Sequence, residues 1–215
     1  MLIIPSILVQ TKEQFIEQII GLKDSVDMIQ LDIADGKFVP NTTWADPDVV
    51  EEYTNIDVEL HLMVQNPLAE VERWTATEVV KRVLFHYEAV KDFGATLKAM
   101  KKYDWEVGVV LNPDTELEKI KPYLSDLDCV MFMSIIPGFQ GQSLIPEVLE
   151  KIVQFNSEYS HIFTEIDGAV NFETLPDIIQ TEVKAICPGS AIFAKGNPAD
   201  NVNEMKEIIN RLTNN

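Results

Sequence analysis

Asp32 in Leu31-Asp32-Ile33-Ala34-Asp35-Gly36 and Asp167 in Glu165-Ile166-Asp167-Gly168 each close an apolar run that reads as a buried strand. A carboxylate there is costly unless something uses it. Two carboxylates that approach one carbon from opposite faces can remove a proton on one side and return it on the other, which inverts a stereocentre. Taken singly, each aspartate could equally cap the loop that follows it. His61 closes a third run, and Gln30 shares a strand face with Asp32 because side chains repeat every two residues. Gln30, Asp32, His61 and Asp167 together could bind one divalent cation. Their oxygen-rich character points to Mn, Fe, Co, Mg or weakly held Zn.

Three loops follow late strands and could hold an anion. Pro137-Gly138-Phe139-Gln140-Gly141-Gln142-Ser143 has the small residues and backbone amides of a segment that folds over a ligand, with Gly138, Gly141 and Gln142 as candidate contacts. Asp167-Gly168-Ala169-Val170 and Pro188-Gly189-Ser190-Ala191 fall where many barrels bind phosphate, so Gly168, Ala169, Gly189 and Ser190 join the candidate site. Ser6 could add a hydroxyl contact, and Met63 and Met133 an apolar lining.

The elements that must position these residues alternate. Short apolar runs near 2–8, 26–33, 57–63, 80–86, 105–111, 128–134, 162–167 and 184–189 are each followed by a segment at helical spacing. Helices are expected near 11–22, 46–54, 67–76, 89–102, 115–124, 146–158, 172–180 and 198–212, several opened by caps such as Thr11, Asn66-Pro67 or Asn197-Pro198. Eight strand-helix units predict an α/β fold, a single (β/α)8 TIM barrel spanning residues 1–215 as one domain. An open doubly wound sheet would need a glycine-rich first turn, and Ile7-Leu8-Val9-Gln10-Thr11 has none. In a parallel barrel the site gathers at the carboxyl ends of the strands. Ser6, Gln30, Asp32, Asp35, His61, Met63, His86, Glu88, Asn112, Ser134, Asp167 and Ser190 all fall there.

The totals narrow the partners. Among 215 residues, 17 Lys and Arg against 35 Asp and Glu leave a net charge of −18, which opposes nucleic acid and anionic membranes. An anionic substrate must then be held by local backbone donors or a metal, since the overall field repels it. No apolar stretch approaches the ~20 residues of a membrane-spanning helix. Cys129 and Cys187 lie in or at the end of apolar strands, without a CxxC pair or a secretory leader, so a reduced, cytoplasmic setting is expected. Barrels of this kind commonly form symmetric oligomers, so a homo-oligomer is expected by analogy.

The chain resembles ribulose-phosphate 3-epimerases nearly end to end. The resemblance runs through Pro5-Ser6-Ile7-Leu8, Leu31 to Asn41, His61-Leu62-Met63-Val64-Gln65-Asn66-Pro67 and Gly108-Val109-Val110-Leu111-Asn112-Pro113. It continues in Met133-Ser134, Pro137-Gly138-Phe139, Gly141-Gln142-Ser143, Glu165-Ile166-Asp167-Gly168 and Gly189-Ser190-Ala191-Ile192-Phe193. It implies a (β/α)8 barrel that interconverts ribulose 5-phosphate and xylulose 5-phosphate with a bound divalent metal. Asp32 and Asp167 would be the acid/base pair and metal ligands, His61 a further ligand, Ser6 a substrate contact, and Gly141, Gly168, Gly189 and Ser190 the phosphate site.

The chain also departs from that pattern. Gln30 stands where the family usually has its other metal-binding histidine, Ala34 replaces a methionine, Gln140 a small residue and Ala169 a glycine, and Pro188 removes a backbone donor. These changes leave open an epimerase of another ketose or ketohexose phosphate, or a sugar-phosphate-binding paralogue without catalysis. With both aspartates kept, catalysis leads. A related decarboxylase or aldolase would carry an Asp-x-Lys-x-x-Asp string, and Asp32-Ile33-Ala34-Asp35 has no lysine in its middle position.

Overall fold

A computed structural model describes residues 1–138 and 141–213. Pro5 has no N–H for a ladder bond, and it divides the first strand run into β1 (Leu2–Ile3) and β2 (Ser6–Ile7). The others are β3 (Met28–Ala34), β4 (Asp57–Met63), β5 (Val80–His86), β6 (Glu106–Leu111), β7 (Cys129–Met133), β8 (Phe163–Asp167) and β9 (Ala185–Cys187). Every pairing is parallel, in the order β1-β9-β8-β7-β6-β5-β4-β3-β2. The two ends of that order are the two halves of one run, so the sheet closes on itself. Bonds from Ser6 N to Pro188 O (3.1 Å) and from Gln30 N to Pro5 O (3.0 Å) carry the closure across the break. The fold is the (β/α)8 barrel that the strand-helix alternation predicts.

The outer layer comprises α1 (Lys12–Leu22), α2 (Pro47–Tyr53), α3 (Pro67–Val71), α4 (Phe93–Met100), α5 (Pro146–Glu158), α6 (Leu175–Ile179), α7 (Ser190–Phe193) and α8 (Pro198–Thr213). Thr11, Asp46, Asn66 and Asp92 cap α1 to α4, each accepting a backbone N–H three residues on. The helix expected at 115–124 is instead two 3-10 segments, Leu117–Lys119 and Lys121–Asp126. Pro122 lacks the N–H an α-helix needs there, and Ile120 N and Tyr123 N bond three residues back, to Leu117 O and Ile120 O. The expected helix at 89–102 starts only at Phe93, preceded by a 3-10 turn at Tyr87–Ala89. The one expected at 67–76 passes into 3-10 at Glu72–Trp74, and the one at 172–180 shortens to α6. The four-residue α7 had no counterpart among the expected elements.

One core lies between sheet and helices, where Phe15, Trp74, Phe85, Phe132 and Phe155 are fully buried, each contributing about 1.5–3 kcal/mol of hydrophobic stabilisation. A second fills the barrel with Leu84, Val110, Met131, Met133 and Cys187. At Gly108 an added Cβ would lie 2.3 Å from Leu84 Cδ2, so only glycine fits beside that side chain. Among the described residues no helix is long and apolar enough to cross a membrane. Both cysteines are free and buried.

Candidate active site

Parallel register sets the site residues side by side at the carboxyl ends of the strands. Asp32 on β3 is opposite His61 on β4, and Asp167 on β8 is opposite Met133 on one side and Cys187 on the other. These ends surround a cavity of about 170 Å³, room for one small metabolite. Asp32, His61, Asp167, Ser6, Met63, Met133, Gly138, Gly141, Gln142, Gly168, Ala169, Gly189 and Ser190 all line it, residues that the sequence scatters over most of its length. Gln30 lies fully buried and is not among the lining residues. The expectation about Gln140 falls outside the described residues.

A buried network joins the polar groups. Gln30 Nε2 donates to Asp32 Oδ1 (2.8 Å) and Asp167 Oδ2 (2.9 Å) and lies 3.2 Å from His61 Nδ1. His61 Nδ1 is 2.9 Å from Asp32 Oδ1 and 3.4 Å from Asp167 Oδ2, and its Nε2 is 2.9 Å from His86 Nε2. Burial alone would lower the His61 pKa, but the hydrogen bonds and charges of Asp167 and Asp32 outweigh it and push it up to about 10. His61 is thus an imidazolium that donates from both nitrogens. Burial, and then the charge on His61, hold His86 down to about 4, so His86 is neutral and accepts from His61. Burial, reinforced by the charge on Asp167, pushes Asp32 above its ordinary value.

The other polar strand-end residues brace this centre. Asp35 accepts from Lys37 N (2.8 Å), Phe38 N (2.9 Å) and Gln65 N (2.9 Å), which ties the loop after β3 to the loop after β4. Glu88 accepts from Asn112 N (3.0 Å) and the Thr115 hydroxyl, and its other oxygen is 3.5 Å from His86 Nδ1. Ser134 donates to the Gly168 carbonyl at the loop after β8. Gly168 has φ +101°, and a Cβ there would come within 2.5 Å of Ile135. Ala169 follows with φ +49°, a left-handed conformation that costs an L-residue energy and persists only when its surroundings impose it. They do so here: Asn171 Nδ2 (3.0 Å) and the Thr174 hydroxyl (2.7 Å) both bond the Ala169 carbonyl.

Sequence reasoning passed over Leu8, Ile135, Val170, Asn171 and Cys187 as lining residues. Asn171 was within reach, since it directly follows the Asp167–Val170 string already taken as a ligand loop. Among the described lining residues none is Lys or Arg, and His61 is engaged by Asp32, Asp167 and His86, which leaves backbone amides and Ser6, Gln142, Asn171 and Ser190 to meet an anion.

A closed parallel barrel with two carboxylates and an imidazole gathered at its carboxyl mouth has its polar groups where (β/α)8 enzymes carry their sites. The ribulose-phosphate 3 epimerase family model matches residues 2–193, and the chain belongs to that family. It is 32% identical over 192 residues to ribulose-phosphate 3-epimerase of Bacillus subtilis, covering 86% of this chain and 88% of the relative. The corresponding protein of Methanocaldococcus jannaschii is 33% identical over 190 residues, covering 85% and 79%. Among solved structures, 3-hexulose-6-phosphate synthase from Salmonella typhimurium superposes with a TM-score of 0.73 at 14% identity, covering 99% of this chain and 100% of that one. KGPDC from Streptococcus mutans in complex with D-R5P gives 0.76 at 14% identity, covering 98% of both. These two likenesses are of fold.

Proposed function

We propose that the chain interconverts ribulose 5-phosphate and xylulose 5-phosphate by moving the proton on carbon 3 between Asp32 and Asp167. The observation that carries this reading is the convergence of those two carboxylates, from strands on either side of the barrel closure, on one small cavity. One carboxylate takes the proton beside the ketone and the other, protonated, delivers one to the opposite face, the roles exchanging in the reverse reaction. Burial favours the protonated form of Asp32, which suits a group that must hold a proton for half of each cycle. The phosphate would lie against the backbone of Gly168, Ala169, Gly189 and Ser190 and under Gly141, in keeping with the lack of cationic side chains there. Ser6 would hold a substrate hydroxyl, and Met63 and Met133 would exclude water from the carbon skeleton.

Asp32, His61 and Asp167 each offer one ligand atom, all within 4.8 Å of one another, so the donor set fits a divalent cation such as Mn, Zn, Fe, Co or Mg. A cation bound there would stabilise the negative charge that develops on the substrate oxygen.

The test is proton exchange at carbon 3 of ribulose 5-phosphate in heavy water, followed by NMR with metal-stripped protein resupplied with Mn, Zn, Co or Mg. Exchange accompanied by xylulose 5-phosphate is the expected result. Substrate binding without exchange under any metal would reject the reaction and leave a sugar-phosphate-binding barrel.

A further inference from the structure

We propose that the Gln30 side-chain amide is a built-in stand-in for the divalent cation. It holds Asp32 and Asp167 together when no cation is bound, and a cation must displace it to enter. The inference rests on the reading of Asp32, His61 and Asp167 as a cation site, and its test is read without turnover.

The three atoms that would ligate a cation are Asp32 Oδ1, Asp167 Oδ2 and His61 Nδ1. They lie 2.8, 2.9 and 3.2 Å from Gln30 Nε2, so the nitrogen sits where the three converge. Chemistry fixes which end of the amide points there. Two carboxylate oxygens are acceptors, and an amide oxygen would present lone pairs to them, whereas the NH2 group has one hydrogen for each. Both hydrogens are then used, and His61 bonds Asp32 on its own account at 2.9 Å.

The opposite end of the amide points the same way. Gln30 Oε1 is buried and has no hydrogen-bond partner. A fold that leaves this oxygen unsatisfied in order to aim the nitrogen at two buried carboxylates gains from the bridge, because two such acids still repel beside the single charge of His61, and Asp167, 3.4 Å from that ring, takes its short hydrogen bond from Gln30 instead. A histidine at this position would bring a ring nitrogen to a cation as a strong neutral ligand. Glutamine brings two N–H dipoles to the point where the three ligand atoms converge instead. The acid pair therefore keeps its spacing without metal, and the metal competes with an internal occupant.

Metal-stripped native protein, Gln30→His and Gln30→Met would each be titrated with Mn²⁺ against a chelating indicator, and each unfolded thermally in EDTA and in excess Mn²⁺. Gln30→His is expected to bind Mn²⁺ at least about tenfold more tightly than native, a change on the scale by which metal sites respond to one well-placed group. Native protein should gain less in unfolding temperature from excess Mn²⁺ over EDTA than Gln30→Met does, because a cation entering the native site must first displace the amide. Gln30→Met, which lacks the bridge, should unfold at a lower temperature in EDTA and recover with Mn²⁺. Native binding as tight as that of Gln30→His, or Gln30→Met as stable in EDTA as native, would overturn the proposal.

Should Gln30→Met fail to fold, the native protein alone decides. In ¹⁵N spectra the Gln30 NH2 pair should exchange slowly with solvent in EDTA and shift when Zn²⁺ is added, and a freely exchanging pair overturns the stand-in. If no protein binds a cation, the cation reading falls and the stand-in with it. Absence of epimerase turnover with these binding results intact would reject only the assigned reaction.

Discussion

Glu59 and Glu165 precede His61 and Asp167 by two residues on the same strands, so they face the same barrel interior one layer further from the mouth. Both layers bury two carboxylates, and they settle them differently. On the floor, Arg82 donates to Glu59 Oε2 (2.8 Å) and to Glu165 Oε1, and reaches Glu106 Oε2 (2.6 Å) at the rim. Its guanidinium also lies 4.8 Å from the Phe163 ring centre. A permanent charge therefore holds the floor in a crowded interior, whereas the mouth is held by a neutral amide and a histidine beside open space. Burial pushes both floor carboxyls up, Glu165 furthest because the charge on Glu59 adds to it. Arg82 lies between two acids with one charge to offer, and burial favours the protonated form of Glu165. Buried acids answered by a fixed cation brace a framework, whereas buried acids answered by movable protons beside a cavity are placed to exchange them.

Removing one charge from each layer should separate floor from mouth. Asp32→Asn or Asp167→Asn should lower the carbon-3 exchange rate about 10²–10⁴-fold, the usual worth of a positioned acid or base. Thermal unfolding of the same variants should change little, because the repulsion relieved between buried carboxylates is offset by the charge lost beside His61. Arg82→Met should do the reverse. It strands Glu59 and Glu165 without a cation and should cost up to about 3–5 kcal/mol in urea unfolding, less where both acids take up protons. Exchange per folded molecule should survive. An Arg82 variant that stays stable, or an Asp32 variant that stays active, would erase the distinction between floor and mouth.

A pH titration of stability sharpens it further. A buried acid whose folded pKa is raised stabilises the fold at low pH and loses that contribution as pH climbs above about 4.5 toward the folded value. Glu165 should therefore give native protein a stability component that falls as pH rises above about 4.5. Glu165→Gln cannot titrate and should remove this component in urea unfolding followed upward from about pH 4.5. At the mouth, with metal chelated, His86 pulls the other way. Its folded pKa of about 4 lies below the ordinary 6.5, so stability is lost as pH falls through that interval. A Glu165→Gln slope identical to native would show that Glu165 is ionised and that the floor is balanced otherwise.

The barrel itself was legible because eight apolar runs with turn signals between them leave few other ways to bury so many strands. Its exceptions are local. Pro122 converted an expected helix into 3-10 turns, and α7 is too short to show any helical period. At the mouth, the polar strand ends marked the cavity well, since strand spacing alone places Gln30, Asp32, His61 and Asp167 on inward faces. The floor went unread because Lys81 and Arg82 look alike in Val80-Lys81-Arg82-Val83, and only the closed ring shows that Arg82 points inward to Glu59 and Glu165 while Lys81 is exposed. The two-residue offsets from Glu59 to His61 and from Glu165 to Asp167 were the signal available. What no periodicity could show is the direction of the Gln30 amide, which depends on Asp167, 137 residues away along the chain.

The smallest expected effect tests whether the mouth stores strain that the floor does not. Ala169 is held at φ +49° by Asn171 and Thr174 in the loop that carries Gly168, just after Asp167. A non-glycine residue in this region costs roughly 1–2 kcal/mol, partly offset in a comparison with glycine by glycine's greater entropy when unfolded. Ala169→Gly should accordingly stabilise the protein by about 0.5–1 kcal/mol, a rise of a few degrees in unfolding temperature. If stability instead falls, Ala169 gives more through contacts with the pocket wall than its backbone costs, and the loop is better described as packed than as strained. Either result bears on the amides of Gly168 and Ala169, because an anion held by backbone donors needs them fixed before it arrives.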